Sequence, residues 1–119
     1  MKKILIVEDN EQNMYLINYL LTKKGYATLK ATTGIDGIAA AIREKPDLIL
    51  MDIQLPDIDG LEATKRIRES GADGSIPIIA VTSYAMVGDR EKAIEAGCTG
   101  YVEKPINPET FILEMERFL

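Results

Sequence analysis

The stretch Leu48-Ile49-Leu50-Met51-Asp52 decides the fold: four consecutive apolar residues end on an acid. A run this short, with no alternation of apolar and polar residues, reads as a strand buried on both faces, the pattern of a parallel sheet. Two further runs share the form. Ile4-Leu5-Ile6-Val7 is followed by Glu8-Asp9, and Ile78-Ile79-Ala80-Val81 by Thr82-Ser83. Weaker strands fit Ala27–Ala31 and Thr99–Val102, which are less apolar and suit the sheet edges.

Helical segments separate these strands. The first, about Glu11 to Lys24, places Met14, Ile17, Leu20 and Leu21 on one face; Asn10 can cap its start, and Gly25 suits a left-handed cap at its end. The second, about Ile35 to Glu44, carries Ile35, Ile38 and Ile42 at helical spacing. The third begins near Asp59, where Asp59 and Glu62 have capping-box spacing, and buries Leu61 and Ile67. The fourth, about Val87 to Ala96, has a thin apolar face and stops at Gly97. The last opens with Asn107-Pro108-Glu109, a cap followed by proline at the first helical position, and turns Ile112, Met115 and Leu119 inward. Strand and helix alternate five times, which predicts a doubly wound α/β sandwich with right-handed crossovers. With 119 residues the chain reads as one domain, 1–119, without repeat or linker.

Composition excludes several function classes. No apolar stretch approaches a membrane span. The N-terminal apolar run stops at Val7 and acids follow, so it is no signal peptide. A net charge of −5 argues against gripping nucleic acid by electrostatics. The chain has no histidine, which rules out Ser-His-Asp and Cys-His catalysis, His-ligated zinc and a phosphohistidine of its own. Its single cysteine, Cys98, cannot form an internal disulfide and reads as a packed side chain in a reducing compartment. Tyr15, Tyr19 and Tyr26 read as surface and packing residues.

In doubly wound sheets, ligands sit beyond the carboxyl ends of the strands. Here those ends carry Glu8-Asp9, Asp52, Thr82-Ser83 and Lys104-Pro105. Three carboxylates brought together repel and desolvate one another, so something must neutralise them. A hard divalent cation answers this, and an oxygen-rich site suits Mg²⁺, with Mn²⁺ as a substitute. A carboxylate alone is a poor acceptor for a phosphoryl group, since both are negative. A metal, a point charge from Lys104 and a hydroxyl from Thr82 would make the transfer feasible.

These residues resemble the receiver domains of two-component response regulators, the family of the chemotaxis regulator CheY. The likeness spans the chain: the acidic pair after the first strand, Met51-Asp52-Ile53-Gln54-Leu55-Pro56 through Gly60, Thr82, and Lys104-Pro105. Val81-Thr82-Ser83-Tyr84-Ala85-Met86 with Gly88-Asp89 further resembles single-domain DivK-type cell-division regulators and the receivers of hybrid histidine kinases. The resemblance implies a flavodoxin-like (βα)5 sandwich with a five-stranded parallel sheet of order 2-1-3-4-5. It implies Asp52 as phospho-acceptor, Asp9 as a direct Mg²⁺ ligand, Glu8 acting through water, and the Gln54 backbone carbonyl as the third protein ligand. Lys104 would pair with the phosphoryl group across a cis Lys104–Pro105 bond. Thr82 would move to the phosphoryl oxygen, with Tyr101 as the coupled aromatic switch. Gln54 and Tyr84 would flank the acyl phosphate and tune its lifetime. The first acid is Glu8 where the family more often has Asp, which leaves metal binding in place but can alter affinity.

The expected function is phospho-acceptance in a phosphorelay. A histidine kinase or histidine phosphotransfer protein would be the donor, and a protein partner would be read through the helix 4–strand 5–helix 5 face carrying Tyr101. The expected protein is cytoplasmic, a monomer or weak dimer, and not a conventional enzyme, beyond Mg²⁺-dependent self-phosphorylation and autodephosphorylation. A free-standing regulator and the receiver part of a longer regulator or hybrid kinase both fit. An aspartate-nucleophile phosphatase of the haloacid-dehalogenase type would need a second Asp two residues after the first, where this chain has Gln54. A nucleotide-binding module would need glycines, not acids, after the first strand.

Overall fold

The structure, a computed structural model, describes residues 1–71, 75–83 and 88–119. Five parallel strands lie in the order β2-β1-β3-β4-β5: β1 Lys3–Val7, β2 Ala27–Ala31, β3 Leu48–Asp52, β4 Ile78–Thr82 and β5 Gly100–Glu103. This is the order and the flavodoxin-like class expected from the resemblance. Every residue of β3 and of β4 is buried, as uninterrupted apolar runs require of central strands.

The pleat divides the core in two. Ile4, Ile6, Leu48, Leu50, Ile79 and Val81 pack with Met14, Ile17 and Leu21 of α1 (Glu11–Lys24) and with Phe111 and Met115 of α5 (Phe111–Glu116). Leu5, Val7, Ile49, Met51, Ile78 and Ala80 pack instead against α2 (Gly34–Glu44), α3 (Gly60–Glu69) and α4 (Asp89–Ala96) through Ala40, Ala41, Ala63, Ile67 and Ala93. Alternate side chains of one strand thus serve opposite helical layers.

Asn10 caps α1 through a hydrogen bond accepted from Asn13 N, and Gly25 closes the helix at φ 104°. Asp59 caps α3 by accepting from Glu62 N. Three readings need correction. First, the helically spaced isoleucines do not mark the inward face of α2: Ile35 and Ile42 are exposed, Ile38 packs partly against the core, and Gly34, Gly37, Ala40 and Ala41 are buried. The reason is space, since a Cβ at Gly37 would lie 2.9 Å from the Val7 methyls. Second, α5 begins at Phe111 rather than Pro108. The Asn107 carbonyl accepts from both Thr110 N (3.2 Å) and Phe111 N (2.9 Å), so residues 108–110 form a tight turn leading into the helix. Phe111 is buried in the core, whereas Leu119 is exposed. Third, β5 is Gly100–Glu103, one residue later than expected. Of the fourth helix, Asp89–Ala96 is described, and Val87 lies outside the described residues.

Candidate phosphoryl-acceptor site

The register assembles the site. Val7 pairs with Met51, and Asp52 with Val81, so Glu8 follows β1 beside the acid that closes β3. Ile53 N donates to Val81 O (3.2 Å) and Lys104 N to Thr82 O (2.7 Å), carrying the ladders one step past the strand ends.

Glu8, Asp52 and Thr82 are all buried, while Asp9 is exposed. One carboxylate oxygen from each of Glu8, Asp9 and Asp52 falls within 4.8 Å of the others. The Lys104 ammonium lies 2.8 Å from Glu8 Oε1 and 3.4 Å from Asp52 Oδ2. Gln54 N donates to Asp52 Oδ1 (3.1 Å), and Asn10 N to Glu8 Oε2 (3.2 Å). The Lys104–Pro105 bond is cis. Burial pushes the Asp52 carboxyl up to about 7; the Glu8 carboxyl beside it adds to the rise, and Lys104 and the Gln54 N–H oppose it. Burial and a neighbouring carboxylate both disfavour the charged form of Asp52, and a nearby positive charge favours it.

The donor set fits a hard divalent cation. Glu8 Oε1 is buried and accepts no hydrogen bond, its compensation being the ionic partner Lys104. All available donors are oxygens, which suits Mg²⁺ and not a soft metal.

Thr82 stands at the end of β4, directly beyond the residue paired with Asp52. Tyr101 pairs with Ala80 two residues back and is half-buried against the α2–α3–α4 side of the core. Burial raises the Tyr101 hydroxyl, with Asp89 and Glu103 adding to it. Tyr84 lies outside the described residues. The structure also displays a group that the sequence reading passed over. Asp57 accepts from Gly34 N and Ile35 N, each at 2.8 Å, and so joins the loop after β3 to the start of α2. Its signal was faint, one acid in a loop, because its partners are main-chain groups twenty-two and twenty-three residues away.

An open α/β sheet with a carboxylate cluster, a lysine and a buried hydroxyl at its carboxyl end defines a phosphoryl-handling module of the doubly wound type. Residues 4–116 match the model of the response regulator receiver domain. The polar-differentiation response regulator DivK of Brucella anthropi is 44% identical over 118 residues, 99% of this chain and 96% of that protein. The magnesium-bound receiver domain of the sensor histidine kinase PA1611 from Pseudomonas aeruginosa is 38% identical, with a TM-score of 0.90 over 98% of this chain and 96% of that one. The chemotaxis protein CheY4 of Vibrio cholerae has a TM-score of 0.94 at 28% identity, covering 100% and 99% of the two chains. The chain belongs to the response regulator receiver family of two-component signalling. Receivers bind Mg²⁺ at an acidic pocket, and this chain brings the carboxylates of Glu8, Asp9 and Asp52 together at the carboxyl end of its sheet. Among the described residues, no helix is long and apolar enough to cross a membrane.

Proposed function

We propose that Asp52 is the residue that accepts the phosphoryl group. The observation that carries this reading is the convergence on Asp52 of Glu8 and Asp9 within 4.8 Å and of Lys104 at 3.4 Å. A carboxylate oxygen of Asp52 attacks the phosphorus of a phosphohistidine on a kinase or phosphotransfer protein. The new O–P bond forms as the P–N bond breaks, and the imidazole leaves with the electron pair and takes up a proton. Glu8, Asp9, Asp52 and the Gln54 main-chain carbonyl would hold Mg²⁺ or Mn²⁺. When bound, the cation neutralises the carboxylates and the incoming phosphoryl oxygens.

Lys104 holds a point charge beside Asp52, ready for one phosphoryl oxygen, and the Thr82 hydroxyl takes another. The resulting pull on Thr82 is read by Tyr101, two residues along the adjoining strand pair, and shifts the α4–β5–α5 face toward a protein partner. Gln54 and Tyr84 tune the lifetime of the acyl phosphate by shielding it from water. Residues 1–119 act as a single receiver, in the cytoplasm, as a monomer or weak dimer. Likeness to a polar-differentiation response regulator supports a role in a phosphorelay.

The test is incubation with acetyl phosphate and Mg²⁺, following phosphoprotein by mass. Wild type is expected to gain one phosphoryl group, and Asp52→Ala none. Equal labelling of the two would refute the assignment.

A further inference from the structure

The loop from Gln54 to Asp59 joins the acid that ends β3 to α3, and its first residue touches the site: Gln54 N donates to Asp52 Oδ1. The loop is closed at its base by Gly60 N donating to Ile53 O at 2.8 Å. A Cβ at Gly60 would fall 2.1 Å from the Asp52 carbonyl oxygen, so the loop's two ends are pressed together. What fixes the body of the loop is a separate matter. Among the described residues, the hydrogen bonds that tie residues 54–59 to any element other than β3 and α3 are the two that Asp57 accepts from Gly34 N and Ile35 N.

That contact is built on both sides. On the loop side, each carboxylate oxygen of Asp57 takes one N–H at 2.8 Å, Oδ1 from Gly34 and Oδ2 from Ile35. These bonds hold the Asp57 carboxyl down at about 2. On the helix side, α2 already has its own cap, since Thr33 accepts from Asp36 N, so Asp57 takes two donors that this cap leaves over. The approach is also close: a Cβ at Gly34 would lie 2.5 Å from Ile58 Cγ1 and 3.3 Å from Asp57 Oδ1. Gly34 is buried beneath the loop. A carboxylate that accepts two main-chain N–H groups and a position with no room for a side chain are independent marks of one built contact.

We propose that Asp57 is a positioning residue for the metal site: by clamping the loop to the start of α2, it sets where the Gln54 main chain stands over Asp52. This rests on the reading of Glu8, Asp9, Asp52 and the Gln54 carbonyl as metal ligands. Asp57 touches neither metal nor phosphoryl group and acts through Leu55 and Pro56, the two residues that join it to Gln54. A group that orients a ligand in this way typically contributes about 10-fold or more to metal affinity.

The test is Mg²⁺ titration of the full chain, reading the amide resonance of Gln54 and, separately, the thermal midpoint without metal. Asp57→Ala is expected to bind Mg²⁺ about 10-fold more weakly than wild type, and Asp57→Asn, which keeps one acceptor oxygen, to fall between them. Asp36→Asn removes an exposed acid from the same helical turn without touching the clip and is expected to bind as wild type does. Unfolding weakens the apparent affinity only by the fraction folded, so a midpoint shift of about 10-fold in a variant whose thermal midpoint shows it more than about nine-tenths folded at the titration temperature reports positioning and not stability. Wild-type affinity in Asp57→Ala would overturn the proposal, as would an equal loss in Asp36→Asn. Absence of Mg²⁺ binding by wild type would overturn the metal reading itself, and this proposal with it.

Discussion

The helices on either side of the site differ in how they are held, and α1 and α4 mark the extremes. α1 runs for 14 residues, is capped by Asn10, and sinks Met14, Ile17 and Leu21 into the core. α4 runs for 8 residues from Asp89, follows Gly88 at its cap position with no side-chain cap bond, and buries only Ala93 and Ala96. The first region carries Glu8 and Asp9, and the second adjoins Thr82 and Tyr101. Buried area sets how much energy must be returned to water before an element can shift. The side that carries Glu8 and Asp9 is therefore a fixed frame. On the side that would report phosphorylation, α4 itself is anchored through two alanines, so a change worth a few kcal/mol can move it.

The largest expected effect breaks the frame. Leu21 is fully buried, and Leu21→Ala should cost about 3 kcal/mol in denaturant unfolding, with every probe of the fold falling together. Ala93→Gly in α4 should cost about 1 kcal/mol through helix propensity. It should speed hydrogen exchange in residues 89–96 before it affects α1. Equal losses, or a global response to both, would erase the distinction between frame and reporter.

Next in size is the seam between the two regions. Asp52 is buried against Glu8, and its carboxyl is pushed up to about 7. Asp52→Asn removes a desolvated charge and leaves the Glu8–Lys104 pair intact. It should raise stability by about 1 kcal/mol at pH 8 without metal, as relief of a strained functional group does. Mg²⁺ should raise the melting temperature of wild type and leave that of Asp52→Asn much less affected. A less stable Asp52→Asn would mean that the carboxylate crowd is not strained. A smaller effect sharpens the contrast in caps: Asn10→Ala should cost about 1 kcal/mol, because it strips a hydrogen bond that α4 does not have to lose.

The fold was legible because β1, β3 and β4 each carry an uninterrupted run of four apolar residues followed at once by a residue of the site. Reading the strand ends was nearly the same act as reading the site. What escaped was governed by volume and by main-chain partners. The inward face of α2 is set by how near Val7 and Ile58 stand to Gly37 and Gly34, and small residues leave no periodic apolar signal. The turn before α5 depends on which N–H groups the Asn107 carbonyl captures, a choice invisible in side-chain identity. Asp57 was missed for the same reason, since both of its donors belong to the backbone.

The smallest prediction decides to which region α5 belongs. Although α5 follows β5 in the chain, the Tyr26 hydroxyl, between α1 and β2, donates to Glu116 in α5. Burial first, then this hydrogen bond and the Glu116 charge, push the Tyr26 hydroxyl from 10.0 up to about 12. The folded state thus keeps a proton that the unfolded chain gives up near pH 10, and stability from this contact is full below that pH and lost as pH rises toward 12. Tyr26→Phe lacks the contact at every pH. The stability gap between wild type and Tyr26→Phe, measured by urea unfolding, should hold below pH 10 and close by about pH 12. Lysines titrate in the same range but do so in both proteins, so the difference isolates Tyr26, its burial together with its bond to Glu116. A gap that stays open to pH 12 would leave α5 fastened to the frame by apolar packing alone, through Phe111 and Met115, and would move the tyrosine to the margin of the argument.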